Sequence, residues 1–236
     1  MQPLAADTSL PLLVLNAFLT TPIMNAVSPT HCLFAGAPDG KILDVASIPK
    51  GGRINRYRVD AVGTVKGTSP TAPQRGWPMI RVEAESPTDL AAPVTYYGVT
   101  EHLQYTTASQ AASLAHSHGE FSAAGDSIRA VLIPIHKDDA WWSLPHDKRQ
   151  NYFSETPSVQ GHTKIGEMYI DRVFRKLYHS RYLGRKSPYD FLTYFEFHQT
   201  DEGRFRELLA KLRDPAVNPE WRYVDLEFEI WMTKLT

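Results

Sequence analysis

Residues 161–180 read GHTKIGEMYIDRVFRKLYHS, and their pattern changes part-way along. Over 163–173, Ile165, Met168, Tyr169 and Val173 recur at spacings of three and four, which predicts an amphipathic helix. From Phe174 to His179 the run reads as extended chain. A helix handing over to a strand suggests a sheet with helices packed on it. The same run also carries chemistry: His162 opens it, and Arg175, Lys176, Tyr178 and His179 cluster at its end.

The neighbouring segments extend this reading. Arg129–Ile135 (RAVLIPI) predicts a buried strand, and Asp139–Phe153 carries a helical pattern along Trp142, Leu144 and Arg149. Tyr189–Phe197 (YDFLTYFEF) is aromatic and strand-like. Glu202–Leu212 predicts an amphipathic helix, with Phe205, Leu208, Leu209 and Leu212 on one face. Arg222–Met232 (RYVDLEFEIWM) alternates apolar and polar residues, as a half-buried strand does. Strand, helix, helix, strand, strand, helix, strand is the order of an antiparallel sheet with helices on one face, an α+β arrangement.

Residues 1–125 have another texture, rich in Pro, Gly, Ser, Thr and Ala. Short strands are expected at Leu12–Phe18, Arg56–Val65, Met79–Glu85 and Val94–Val99, separated by turn clusters such as Lys50-Gly51-Gly52. The stretch 108–125 reads as a linker or mobile loop. The expected division is therefore 1–125, with the linker, and 126–236.

Composition bounds the function. The chain has 236 residues, 42% hydrophobic and 22% charged, enough for a full core in a globular protein. A net charge of −1 supplies no field toward nucleic acid or an anionic membrane. The single cysteine, Cys32, builds neither an intrachain disulfide nor a Cys-rich metal site, so any metal is held by His or carboxylates or arrives inside a prosthetic group. No apolar run approaches the ~18 residues that span a bilayer. Leu10–Leu19 is apolar but has no basic residue before it, so it does not read as a signal peptide. The expectation is a cytoplasmic protein; a periplasmic one with its signal removed would look the same.

Local reading leaves the role of His162 open. In one continuous helix, His162 and Arg175 would stand about 140° apart and face no common site. If the chain turns from helix to strand between them, both can approach one cavity. Neutral imidazole ligates iron or zinc, and a guanidinium holds an anion by paired hydrogen bonds. A lone histidine in a Gly/Thr context also reads as a cap or a surface residue. Trp141 and Trp142 read first as packing, Lys137 as solvated or else meeting a carboxylate or a propionate, Tyr105 as core tyrosine or hydrogen-bond donor, and His179 as structural. Glu227 and Glu229 share a strand face, more consistent with a wet face than an acid/base pair. No Walker loop, GxGxxG, GxSxG or HExxH is present.

The assembled words say more. IPIHKDDAWWSLPHDKR, GHTKIG, VFRKLYHS and YDFLTYFEF occur in that order, with GVTEHLQYTT before them at 98–107. Together they resemble the chlorite dismutase family of haem b proteins, over roughly residues 96–232. The resemblance implies a dimeric α+β barrel of two ferredoxin-like halves in one chain, with haem in the C-terminal half, and a homo-oligomer, pentamer or dimer. It implies His162 as proximal iron ligand and Arg175 as distal arginine. Lys137 and Tyr105 match residues near the haem propionates, and Trp141 and Trp142 match tryptophans beside the haem. Glu220 matches the glutamate that accepts from the proximal histidine, a contact that makes the ligand more basic.

The implied reaction turns chlorite into chloride and dioxygen, with Arg175 retaining hypochlorite until it recombines. Other readings stay open: a peroxidase-like or porphyrin-processing member acting on peroxide or a porphyrin, or a non-enzymatic haem-binding protein. The family's porphyrin decarboxylases generally lack an arginine matching Arg175. TPSVQ before Gly161, the loops at 181–189 and 214–220, and the first 95 residues depart from the family pattern.

Overall fold

In the computed structural model, the described residues are 30–38, 51–68, 71–100, 119–121, 127–153, 160–181, 183 and 187–235. Eight strands close into one antiparallel barrel: β1 (His31–Gly36), β2 (Arg53–Lys66), β3 (Pro78–Ala84), β4 (Val94–Val99), β5 (Ile128–Lys137), β6 (Val173–His179), β7 (Phe191–His198) and β8 (Val224–Leu235). Around the barrel the order is β1-β3-β2-β8-β5-β7-β6-β4. Each half of the chain thus contributes four strands in the same relative order, 4-1-3-2, as ferredoxin-like units do. The expected strand at Leu12–Phe18 and most of the expected linker fall outside the described residues.

The barrel is filled by one side of each strand. Phe34, Tyr57, Val59, Tyr178, Leu192, Tyr194, Phe228 and Ile230 meet in its interior. The other side of β5–β8 carries Val131, Ile133, Val173, Phe195 and Phe197, on which helices pack. In β5 and β7 both faces are apolar because both are covered, whereas β2 and β4 leave one face exposed.

The two halves meet at unequal seams. β2 and β8 pair from Arg56↔Leu235 to Lys66↔Glu227, whereas β4 and β6 pair at Val99↔His179 alone. Gly98 lies at that second seam, where a Cβ would come 2.7 Å from Tyr178 Cβ. Glu83 reinforces it from inside: Lys176 Nζ and Tyr178 Oη of β6 donate to it at 2.6 and 2.5 Å.

Among the described residues all four α-helices follow β5: α1 (Asp139–Ser143), α2 (His146–Phe153), α3 (Gly161–Glu167) and α4 (Glu202–Arg213). None is long and apolar enough to cross a membrane. Two local expectations are corrected. The pattern over 139–153 is two helices, because Pro145 lacks the N–H that a continuous helix needs. Glu227 is buried rather than wet. Arg213 of α4 lies over it, donating Nε–H at 2.8 Å, and reaches Glu229 at 2.6 Å.

Candidate active site

The site lies where α1, α2 and α3 meet the outer face of β5, β6 and β7. Gly161 opens α3 with φ +72°, a left-handed conformation natural to glycine, and it is buried. His162 follows it directly. Its ring packs on Phe153 of α2 at 5.1 Å between centroids, and its Nδ1 lies 2.6 Å from Glu220 Oε2. An ionised carboxylate only accepts, so Nδ1 carries the hydrogen, and in the neutral ring Nε2 keeps the lone pair.

Glu220 comes from the far side of the chain. After α4, Val217 N–H donates to Asp214 O, and Asn218 Nδ2 caps Leu212 O at 2.7 Å. This folds 214–218 into a turn that delivers Glu220 on a short 3₁₀ segment, Pro219–Tyr223. Its other oxygen receives Lys137 Nζ. Burial alone would raise the Glu220 pKa. His162 and Lys137 outweigh it and hold the carboxyl down to about 2. Lys137 is buried too. Burial pushes its ammonium below the usual lysine range, while Glu220 and Asp190 pull it back up. Its Nζ stands 3.4 Å from the Trp141 ring centroid, a cation–π contact.

Trp141 and Trp142 diverge as neighbours in a helix do. Asp138 caps α1 through Trp141 N–H at 2.9 Å, and Trp141 is buried among Tyr152, Phe153 and Tyr223. Trp142 stacks on Phe191 of β7 at 6.0 Å and 15°. Its Nε1–H donates to Asp190 at 3.2 Å. Asp190 also accepts from Lys137 N–H at 2.8 Å and Arg181 Nη1 at 2.7 Å.

Arg175 stands on the outer face of β6, on the sheet wall, while His162 stands on the helix wall. Its guanidinium leans toward α3: Nη1 comes within 3.0 Å of where a Cβ on Gly166 would lie, and Cζ is 6.0 Å from the Phe195 ring. Among the described residues it makes no hydrogen bond or ion pair. Burial lowers its pKa, opposed only by Glu220. The structure thus brings His162, Glu220, Lys137, Trp141 and Trp142 into one cluster, with Arg175 on the facing wall. Tyr105 lies outside the described residues.

Sequence reading missed Phe153 and Asp190. An acid beside the apolar start of the aromatic run YDFLTYFEF, which also holds Glu196, was the available signal for Asp190. No sequence signal marks Phe153 as the ring beneath His162.

The donor set fits a haem b. One imidazole nitrogen cannot hold a bare metal ion, but it suits an iron whose equatorial ligands come from a macrocycle. The half-buried apolar side chains Ile135, Leu177 and Phe191 offer a flat organic group a surface.

Comparison with known proteins gives a family and a fold in common. Residues 84–229 match the protein family described as Chlorite dismutase. A chlorite dismutase of Ideonella dechloratans is 33% identical over 127 residues, 53% of this chain and 40% of that protein's length. The chain thus spans under half of that curated relative. The crystal structure of a dimeric chlorite dismutase from Nitrobacter winogradskyi superposes with a TM-score of 0.63 at 26% identity, covering 86% of this chain and 99% of the other. The chlorite dismutase from Candidatus Nitrospira defluvii in complex with imidazole gives 0.60 at 22%, covering 90% and 92%, a likeness of fold.

Proposed function

The chain belongs to the chlorite dismutase family, and from that premise we propose that it is a haem b enzyme that converts chlorite to chloride and dioxygen. The observation that carries the reading is the buried Lys137–Glu220–His162 chain, which fixes the histidine tautomer and leaves Nε2 as a ligand. When bound there, haem supplies the iron centre at which chlorite reacts.

The protein's own groups do the rest. Glu220, kept ionised by Lys137, accepts the Nδ1 proton of His162 and raises the basicity of Nε2. Trp141 covers the Lys137 ammonium and keeps water from competing for Glu220. Arg175 presents two parallel N–H donors to a small oxyanion and keeps the negatively charged chlorine species near the centre until dioxygen forms. It takes no part in proton transfer, because its guanidinium stays protonated. We assign Trp142 and Tyr105 to the haem surroundings, and a homo-oligomer, dimer or pentamer, to the assembly.

An oxygen electrode tests this. Haem-loaded protein given chlorite releases dioxygen, and Arg175→Ala, at equal haem occupancy, loses most of that release. No dioxygen from a properly histidine-bound haem overturns the reading and leaves peroxide chemistry or haem binding.

A further inference from the structure

Lys137 matches a residue expected beside the haem propionates, yet its ammonium is already committed to Glu220 and to the face of Trp141. The carboxylate-binding role is therefore open for another cation. Two arginines lie against the neighbouring ring: Arg181 Cζ is 4.1 Å and Arg149 Cζ 5.6 Å from the Trp142 centroid. Arg181 is neutralised by Asp190. Arg149 is not. Its Nε is buried without a hydrogen-bond partner, and among the described residues no carboxylate pairs with its guanidinium. A half-buried, unpaired guanidinium is costly unless something completes it.

Its place along α2 says what completes it. Arg149 and Phe153 are four residues apart, so they share one helix face about 6 Å from each other. Phe153 is the ring against His162. Running from His162 over Phe153, the next side chain on that face is Arg149. The stack of Trp142 on Phe191 provides a flat apolar wall beside it.

We propose that Arg149, with Arg181 beside it on the Trp142 ring, forms a carboxylate-binding subsite at the rim of the site, and that the carboxylate it takes is a haem propionate. This rests on the haem reading given above. Arg149 donates paired N–H groups to the propionate, which in turn fixes the rotation of the macrocycle about the His162 axis.

The experiment titrates full-length protein with protohaem and with its dimethyl ester, which lacks the carboxylates, following the Soret band. Wild type binds the diacid more tightly than the diester. In Arg149→Gln that preference falls by about 10-fold or more, the worth of a charge-assisted hydrogen bond. Arg149→Lys, which keeps the charge, restores part of it. Equal weakening of diacid and diester in Arg149→Gln would mean that the arginine only packs on Trp142, and would overturn the proposal. So would an unchanged preference. If wild type shows no histidine-bound spectrum with either porphyrin, the haem reading itself falls and takes this one with it; a normal wild-type spectrum with an unaltered preference in the variant removes this one alone.

Discussion

Glu83 holds the weaker seam of the barrel, and its replacement by glutamine tests that arrangement quantitatively. The carboxylate is 4% exposed. It accepts from Lys176 at 2.6 Å, Tyr178 at 2.5 Å and Arg81 at 3.3 Å, and also from Arg53. Burial raises its pKa, but Arg81 and Lys176 more than offset this and bring it from 4.5 to about 2. A depressed carboxyl pKa contributes stability that is complete above the unfolded value and disappears as pH falls through the folded one. Holding the carboxyl ionised that far below its ordinary range corresponds to about 3 kcal/mol. That is a large part of a typical folding free energy of about 5–15 kcal/mol. Urea unfolding of wild type and Glu83→Gln at several pH values measures it. The variant is less stable by about 3 kcal/mol at pH 7. The difference shrinks between pH 4.5 and 2, where wild-type Glu83 itself protonates. A difference below about 1 kcal/mol at pH 7, the level of a surface pair, or one that persists undiminished near pH 2, refutes the reasoning.

Three further outcomes follow from other contacts. Gly98→Ala drives a methyl into Tyr178 Cβ, at 2.7 Å, and lowers stability by about 1–3 kcal/mol in thermal or urea unfolding. The Cys32 thiol, pushed up to about 12 chiefly by burial, stays unreactive toward a thiol reagent at pH 8 in the folded protein and reacts once the chain is unfolded in urea. Glu220→Gln leaves the Lys137 ammonium buried without its carboxylate, so haem-free protein loses about 3–5 kcal/mol in urea unfolding. In the haem-loaded variant the iron–histidine stretching band moves to lower frequency as His162 becomes a weaker donor.

Much of the C-terminal half was legible because its patterns are strong. β5, β7, β8 and α4 each have either an unbroken apolar run or a clear period, and their observed bounds lie within a few residues of the expected ones. β1 escaped notice: HCLFAG is short, has no alternation and ends in glycine, since both of its faces are covered. Glu227 was misread for a related reason. Alternation tells which residues share a face but not that Arg213, on the helix before it, folds over that face. A change from helix to strand within 161–180 was legible, but the helix expected over 163–173 is Gly161–Glu167, with turns at 168–172 before β6; that change puts His162 and Arg175 on separate walls. The contact between His162 and Glu220 spans 58 residues and crosses a turn with no periodic signal. No local rule finds it, and the family resemblance supplied it. Lys137 shows the limit of that resemblance, because its burial under Trp141 and its pairing with Glu220 decide what else it can hold.

The central claim is that Glu220 fixes His162 so that Nε2 would hold the iron of a bound haem. The most direct measurement is the absorption spectrum of ferric and ferrous haem-loaded protein beside His162→Ala, with and without added imidazole. The account predicts a five-coordinate, histidine-bound ferrous spectrum in wild type, its loss in His162→Ala, and its partial return with imidazole. A His162→Ala spectrum identical to wild type would contradict the account.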